Sequence, residues 1–231
     1  RAYLYSPEAR ISTRYEEDYI QACKGEVVMP KPIVDTSDQE PVYLGIDPGK
    51  KGAFAALFSS ENLSVWRMPE DYSVIPDILE TIRNRSGSRK IVCTVEKVRG
   101  YIGGGFNPGA AMFVFGQGFG HIQMAISICS QRWKDEGVDF RYTEVEPSRW
   151  VAGYNMKKNR VKRLIRSRKT GELREVFGKE SDNSWKNRLL VVASELYPSY
   201  QIRLEHADAV LLAHYGKMKG LGSGRSNAEQ A

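Results

Sequence analysis

Cysteine is scarce: Cys23, Cys93 and Cys129 are the only three in 231 residues, and they show neither CxxC nor CxxxxH spacing. That pattern argues against a disulfide scaffold and against a structural zinc site, and makes a reducing compartment the default. A membrane span is also missing. Residues 100–131 contain no Asp, Glu, Lys or Arg, but Gly103-Gly104-Gly105, Asn107-Pro108, Gln117, His121 and Gln123 would break or polarise a span there. The stretch reads instead as a glycine loop followed by a buried helix. The chain begins at Arg1, its first residues hold no apolar run of a signal peptide, and a targeting segment already removed remains compatible with it. Acid is absent from residues 155–169, which carry eight Lys/Arg.

The whole chain has 34 Lys+Arg and 28 Asp+Glu, a formal charge of +6, so this one segment outweighs a body near −2. A local charge of that size beside a near-neutral remainder points to a polyanion contact. With 41% hydrophobic and 10% aromatic residues, the chain is not wholly disordered, and its length suits one domain with an appendage.

Residues 1–40 are polar and weakly periodic, an extension or linker with a short helix expected near Glu16–Cys23. The core pattern starts at Val42. VYLGID (Val42–Asp47), GAFAALF (Gly52–Phe58) and LSVWRM (Leu63–Met68) read as three strands joined by tight turns, an antiparallel meander. Apolar residues at 74, 75, 78, 79 and 82 have helical spacing. KIVCTVE (Lys90–Glu96) is a fourth strand ending in a carboxylate, Ala110–Ser130 the buried helix, and Val138–Glu144 a fifth strand. A short helix is expected at Pro147–Val151, another over Ser184–Leu196 capped by Asp182 or Ser184, and a last over Glu205–Lys217. The domain spans 41–218 with a basic insertion at 155–180, and 219–231 reads as a flexible tail. The order predicts an α/β fold, a mixed five-stranded sheet flanked by helices. It resembles the ribonuclease-H-like fold, and equally each half of the actin and sugar-kinase fold.

Four acids stand out. Asp47 and Glu96 end the first and fourth strands, neighbours in a ribonuclease-H-like order, so both would emerge at one edge. Glu205 and Asp208, three apart, would share a face of the last helix. Converging carboxylates repel unless cations neutralise them, and oxygen donors suit Mg²⁺ or Mn²⁺. A pair of ions at such a site serves phosphodiester chemistry.

Gly45-Ile46-Asp47-Pro48-Gly49 with Gly52-Ala53 resembles the first motif of the RuvC-type Holliday junction resolvases, and Val95-Glu96-Lys97-Val98 resembles their second. Phe115–Gly120 (FGQGFG) is similar to the start of their glycine-bearing helix, and Glu205 with His206-Ala207-Asp208-Ala209 to their last acidic motif. The likeness spans residues 42–217 in order and is nearest in look to the phage and chloroplast branch. It implies a homodimeric, metal-dependent nuclease specific for four-way DNA junctions. It implies Asp47, Glu96, Glu205 and Asp208 as catalytic metal ligands, with Glu205 or His206 completing the set. Lys186 aligns loosely with a family lysine and would meet the scissile phosphate. The family's Pro-x-x-hydrophobic-Lys motif reads here as Pro147-Ser148-Arg149-Trp150-Val151, so its lysine contact is absent or moved to Arg149 or Lys157.

The loop after Glu96 (Arg99–Ala110, RGYIGGGFNPGA) would bring backbone amides at Gly104 near a phosphate and stack Tyr101 and Phe106 on unpaired bases, with Arg99 beside them. In the basic stretch, Val161, Leu164 and Ile165 would seat one face while Lys157, Lys158, Arg160, Lys162 and Arg163 meet phosphates. His121 and His214 read as structural, and Met112 and Met124 as core filler. The expectation is therefore a crossover junction endodeoxyribonuclease acting on branched DNA. The rivals are a non-catalytic branched-nucleic-acid-binding relative and an actin-like phosphotransferase, the latter disfavoured by the lack of a second, repeated half. Bacterial or phage-infected cytoplasm and chloroplast stroma all fit.

Overall fold

The structure, a computed structural model, describes residues 40–97, 109–166 and 171–221. The extension helix expected near Glu16–Cys23, the loop residues Arg99, Tyr101, Gly104 and Phe106, and most of the predicted tail lie outside the described residues.

β1 (Val42–Asp47), β2 (Ala53–Ser59) and β3 (Asn62–Arg67) form the expected meander, with β2 antiparallel to both neighbours. The first turn is closed by the Gly49 amide donating to Asp47 Oδ1 at 3.1 Å and the Gly52 amide donating to the Gly49 carbonyl at 2.7 Å. A Cβ on Gly52 would lie 2.0 Å from the Asp47 carbonyl oxygen, so only glycine fits. β4 (Ile91–Glu96) and β5 (Phe140–Val145) join in parallel on the other side of β1, giving the order β3-β2-β1-β4-β5. This is the predicted α/β, ribonuclease-H-like mixed sheet.

Five helices accompany the sheet among the described residues: α1 (Ile75–Ser86), α2 (Gly109–Asp135), α3 (Pro147–Gly153), α4 (Asp182–Leu196) and α5 (Ala207–Met218). Because side chains alternate across a strand, each central strand feeds two cores. Val42, Leu44, Ile46, Phe54, Ile91, Cys93 and Val95 pack with α1 and α2. Tyr43, Ala53, Ala55, Leu57 and Val92 pack with Trp150 of α3, Leu189 and Ala193 of α4, and the buried run Ala209–Ala213 of α5. Asp47 and Glu96 share the parity of the second set, so they leave the sheet on the α5 side.

Three local expectations need correction. α2 is not a buried helix: Ile122, Ile126, Cys129 and Trp133 face the core, while Phe113, Val114, Met124 and Ile128 are exposed, Met124 among them despite its reading as core filler. The basic segment is not an amphipathic stretch seated by its apolar residues. It forms a two-stranded ribbon, β6 (Arg160–Arg166) and β7 (Leu173–Lys179), in which Val161 and Leu164 are exposed. α4 is capped neither by Asp182 nor by Ser184 but by Ser181, whose hydroxyl accepts from the Ser184 amide, because the helix starts two residues earlier than its apolar pattern shows. No described helix is long and apolar enough to cross a membrane.

α5 lies against β1 at Gly45, where an added Cβ would come within 2.1 Å of the Ala209 carbonyl oxygen and 2.3 Å of the Ala213 nitrogen. Both obstacles are backbone, so the helix itself would have to move. Gly45→Ala should lower unfolding stability by about 1–3 kcal/mol or more, read as a fall in the urea midpoint; an unchanged midpoint would mean the helix shifts without cost.

Candidate active site on the α5 face of the sheet

β1 and β4 run parallel with Ile46 opposite Val95. Asp47 and Glu96 therefore stand side by side at the carboxyl ends of the two central strands. Asp208 joins them because it lies in the first turn of α5, one residue before the Ala209 contact with Gly45. Lys186, in the second turn of α4, places Nζ 3.6 Å from Asp208 Oδ2. Trp150, 2% exposed in α3, donates its indole N–H to Glu96 Oε2 at 2.9 Å.

The electrostatics follow from crowding like charges out of water. Burial pushes the Asp47 carboxyl above its ordinary range, against the opposing pull of the Gly49 amide and of Lys186. Glu96 is pushed up to about 8 by burial, then by the charges of Asp47 and Asp208; Trp150 and Lys186 oppose the rise. Asp208 is pushed up to about 6 by burial and by Asp47, again opposed by Lys186. One ammonium is thus shared by three carboxylates that feel one another, too little positive charge to let all three ionise freely.

Glu205 does not join them. It precedes α5 rather than riding on it, and its carboxylate pairs with Arg67 at the end of β3. That hydrogen bond holds the Glu205 carboxyl below its usual range. The helix-face argument for Glu205 and Asp208 fails because the helix begins at Ala207. His206 is the N-cap residue without a side-chain cap bond; burial lowers its pKa and its Nε2 is buried without a partner. His121 stacks on Tyr72, and His214 stacks on Tyr154 and accepts or donates with its hydroxyl at 3.1 Å, both structural as expected.

Of the basic residues, Lys158 pairs with Asp182 at 2.6 Å, Lys162 with Glu175 at 2.5 Å, and Arg160 stands over the Phe177 ring. Lys157 is exposed and Arg163 lies in β6. Lys158 and Lys162 are thus engaged by acids other than the three carboxylates.

The donor chemistry of the set fits a hard divalent cation. All three side chains offer oxygen, and buried Asp208 Oδ1 has no hydrogen-bond partner. The set is open rather than closed: among the described residues no three or more His, Cys, Asp or Glu side chains are grouped closely enough to hold one metal ion.

No family model matches the chain, and no curated protein does. Among solved structures it is similar to T. thermophilus RuvC in complex with Holliday junction substrate, with 12% identity and a TM-score of 0.42 over 80% of this chain and 98% of that one. The chemistry of the site rests on its own residues.

Two of those residues escape sequence reasoning. Trp150 was visible in Pro147–Val151, but that motif draws attention to the lysine missing at Val151 rather than to the indole. Arg67 closes an apolar strand, where a cation has no distinctive signal.

Folding favours the neutral forms of Asp47, Glu96 and Asp208, because their pKa values are raised above those of an unfolded chain. That contribution is complete below about pH 4. It is lost as pH rises through about 6 for Asp208 and about 8 for Glu96. In EDTA, the thermal midpoint should fall between about pH 5 and pH 8, and Glu96→Gln should remove the upper part of that fall. A Glu96→Gln profile parallel to the parent's would show that Glu96 carries no such strain.

Proposed function

We propose that the chain is a metal-dependent, structure-selective DNA endonuclease that resolves four-way junctions by paired symmetric nicks as a homodimer. The convergence of Asp47, Glu96 and Asp208 on one face of the sheet carries this reading. Carboxylates drawn this far out of water beside one another are costly unless something neutralises them, and the three motifs that supply them are those that resemble the RuvC-type resolvases. Asp47, Glu96 and Asp208 are the residues that would hold Mg²⁺ or Mn²⁺, probed first as a pair of ions. A bound cation supplies charge neutralisation and Lewis acidity at a phosphodiester.

The chain's own groups hold the rest of the site. The Gly49 amide fixes the Asp47 carboxylate and the Trp150 indole fixes Glu96. Lys186 brings an ammonium to the same cleft and is assigned to the scissile phosphate. In the hydrolysis, a water oxygen bonds to phosphorus, the bond from phosphorus to the 3′ oxygen breaks, and a proton passes to that oxygen. The ends are a 5′-phosphate and a 3′-hydroxyl. Glu205, held by Arg67, is left out of the ligand set. Arg99, Tyr101, Gly104 and Phe106, next in sequence to Glu96, are assigned to the crossover strands, where stacking on an unpaired base is worth about 1–3 kcal/mol.

A non-catalytic branched-DNA-binding relative is the second reading, favoured by the open spacing of the carboxylates. Asp47→Asn separates the two. It keeps the shape and removes a ligand charge, so cleavage of a labelled four-way junction in Mg²⁺ should disappear while binding persists, because phosphate contacts supply most affinity. A parent chain that binds junctions without cutting them supports the second reading; a variant that cuts at the parent rate removes the metal-site assignment.

The homodimer is assigned to the outer face of α2. Phe113, Met124 and Ile128 are exposed there, and Gly116 and Gly120 have open space where a side chain would stand, so a second helix can approach closely. Met124→Asp with Ile128→Asp should give monomers in sedimentation at concentrations where the parent is a dimer. A variant with the parent's mass would move the interface elsewhere.

A further inference from the structure

We infer that the β6–β7 ribbon is a duplex-arm clasp that enters the major groove of DNA, rooted on the helix that carries Lys186. The inference deepens the junction-nuclease reading and rests on it.

The ribbon cannot owe its order to a core of its own. Its two strands pair over seven positions, from Arg160 opposite Lys179 to Arg166 opposite Leu173. Apolar residues stand in solvent on both faces, Leu164 at 65%, Phe177 at 63% and Leu173 at 60% exposed on one, Val176 at 42% and Val161 at 38% on the other. An isolated two-stranded hairpin is marginally stable in water. What anchors it is its base. Glu180, 7% exposed, accepts from the Asn159 amide at 2.7 Å and from Arg188 at 2.6 Å, and Arg188 also donates to the Lys157 carbonyl. Lys158 pairs with Asp182 in the first turn of α4. The root therefore sits within about two helical turns of Lys186.

Charge decides the occupant. Residues 157–179 hold ten Lys/Arg against two acids, so a second ribbon laid against this one would meet strong repulsion, whereas a polyanion would be drawn in. Directly paired residues share a face, so Arg160, Lys162, Leu164, Arg166, Leu173 and Phe177 all project the same way. Cations and apolar groups interleaved on one side match the two things a groove presents, phosphates at its rims and base edges with thymine methyls at its floor. Size agrees. Two strands about 4.8 Å apart, with side chains, fill a groove about 12 Å wide that admits a two-stranded ribbon, while the minor groove at about 6 Å does not. The one acid on this face, Glu175, is already neutralised by Lys162.

The test uses the full chain on a four-way junction without divalent metal, with dimethyl sulfate as the probe. Guanine N7 lies in the major groove and adenine N3 in the minor. The parent should protect guanine N7 on the arms and leave adenine N3 reactive. Leu164→Ser with Phe177→Ser keeps every cation and changes only exposed side chains. It should abolish N7 protection and cost about tenfold in affinity for long-armed junctions. It should cost nothing when the arms are shorter than one helical turn of about 10 base pairs. Arg160→Ala with Arg166→Ala should make the slope of log K against log salt less negative by about 2. The inference is overturned by N7 protection that persists in the serine variant, by protection of adenine N3 instead, or by a serine variant with changed oligomeric mass and parental DNA binding, which would turn the ribbon toward protein. N7 protection by a parent that never cuts in Mg²⁺ would sink the nuclease reading and leave the ribbon standing.

Discussion

The contact between Gly45 and the backbone of α5 is the constraint on which the site depends. A helix that can touch a strand at backbone distance lies closer to the sheet than side chains normally permit, and the space in question is smaller than a methyl group. The buried run Ala209–Ala213 then fills the layer over β1, β2 and β4. Asp208, one residue before that run, is carried down to the strand ends where Asp47 and Glu96 already stand. Packing thus forces together three groups that electrostatics would keep apart.

The same layer supplies partial relief. Asp47 is held by the amide of its own turn, Glu96 by the indole of a buried tryptophan, and Asp208 by the ammonium of Lys186. Each compensation comes from a different element: the β1–β2 turn, α3 and α4. None suffices, as the raised pKa of every one of the three shows. A cation at this point would relieve the repulsion but would have to displace the protons that the folded chain favours, so any affinity for it would rise with pH. Glu205 illustrates the opposite outcome. Half-buried beside the exposed Arg67, it is paired there and its carboxyl is held below the usual range.

α4 links this centre to the ribbon. Its amino-terminal end gathers Ser181, Asp182 and Ser184 together with Glu180 and Arg188, which tie down both ends of the β6–β7 hairpin. Lys186 lies within the same short stretch. An element that projects into solvent and a side chain that faces three half-buried carboxylates are therefore mounted on one helix.

The alternation of apolar residues in VYLGID, AFAALF and IVCTVE, the glycine turn after Asp47 and the helical spacing near Ile78 were enough to read the mixed sheet and the strand-end carboxylates, because period and turn chemistry are local properties. The ribbon was legible only as charge: RVKRLIR and LREVFGK have no clean alternation, and their pairing depends on a root formed by Glu180 and Arg188. Apolar spacing puts the start of α5 at Glu205, two residues before the helix begins at Ala207, and so places on the helix an acid that stands outside it. By itself the sequence determined the order of elements and the acids at the ends of β1 and β4. Only the tertiary structure decided which acids meet. That choice depends on strand parity, on the depth to which Gly45 admits a helix, and on whether Arg67 or a buried cleft claims a carboxylate, and each of these is a distance between segments far apart in the chain.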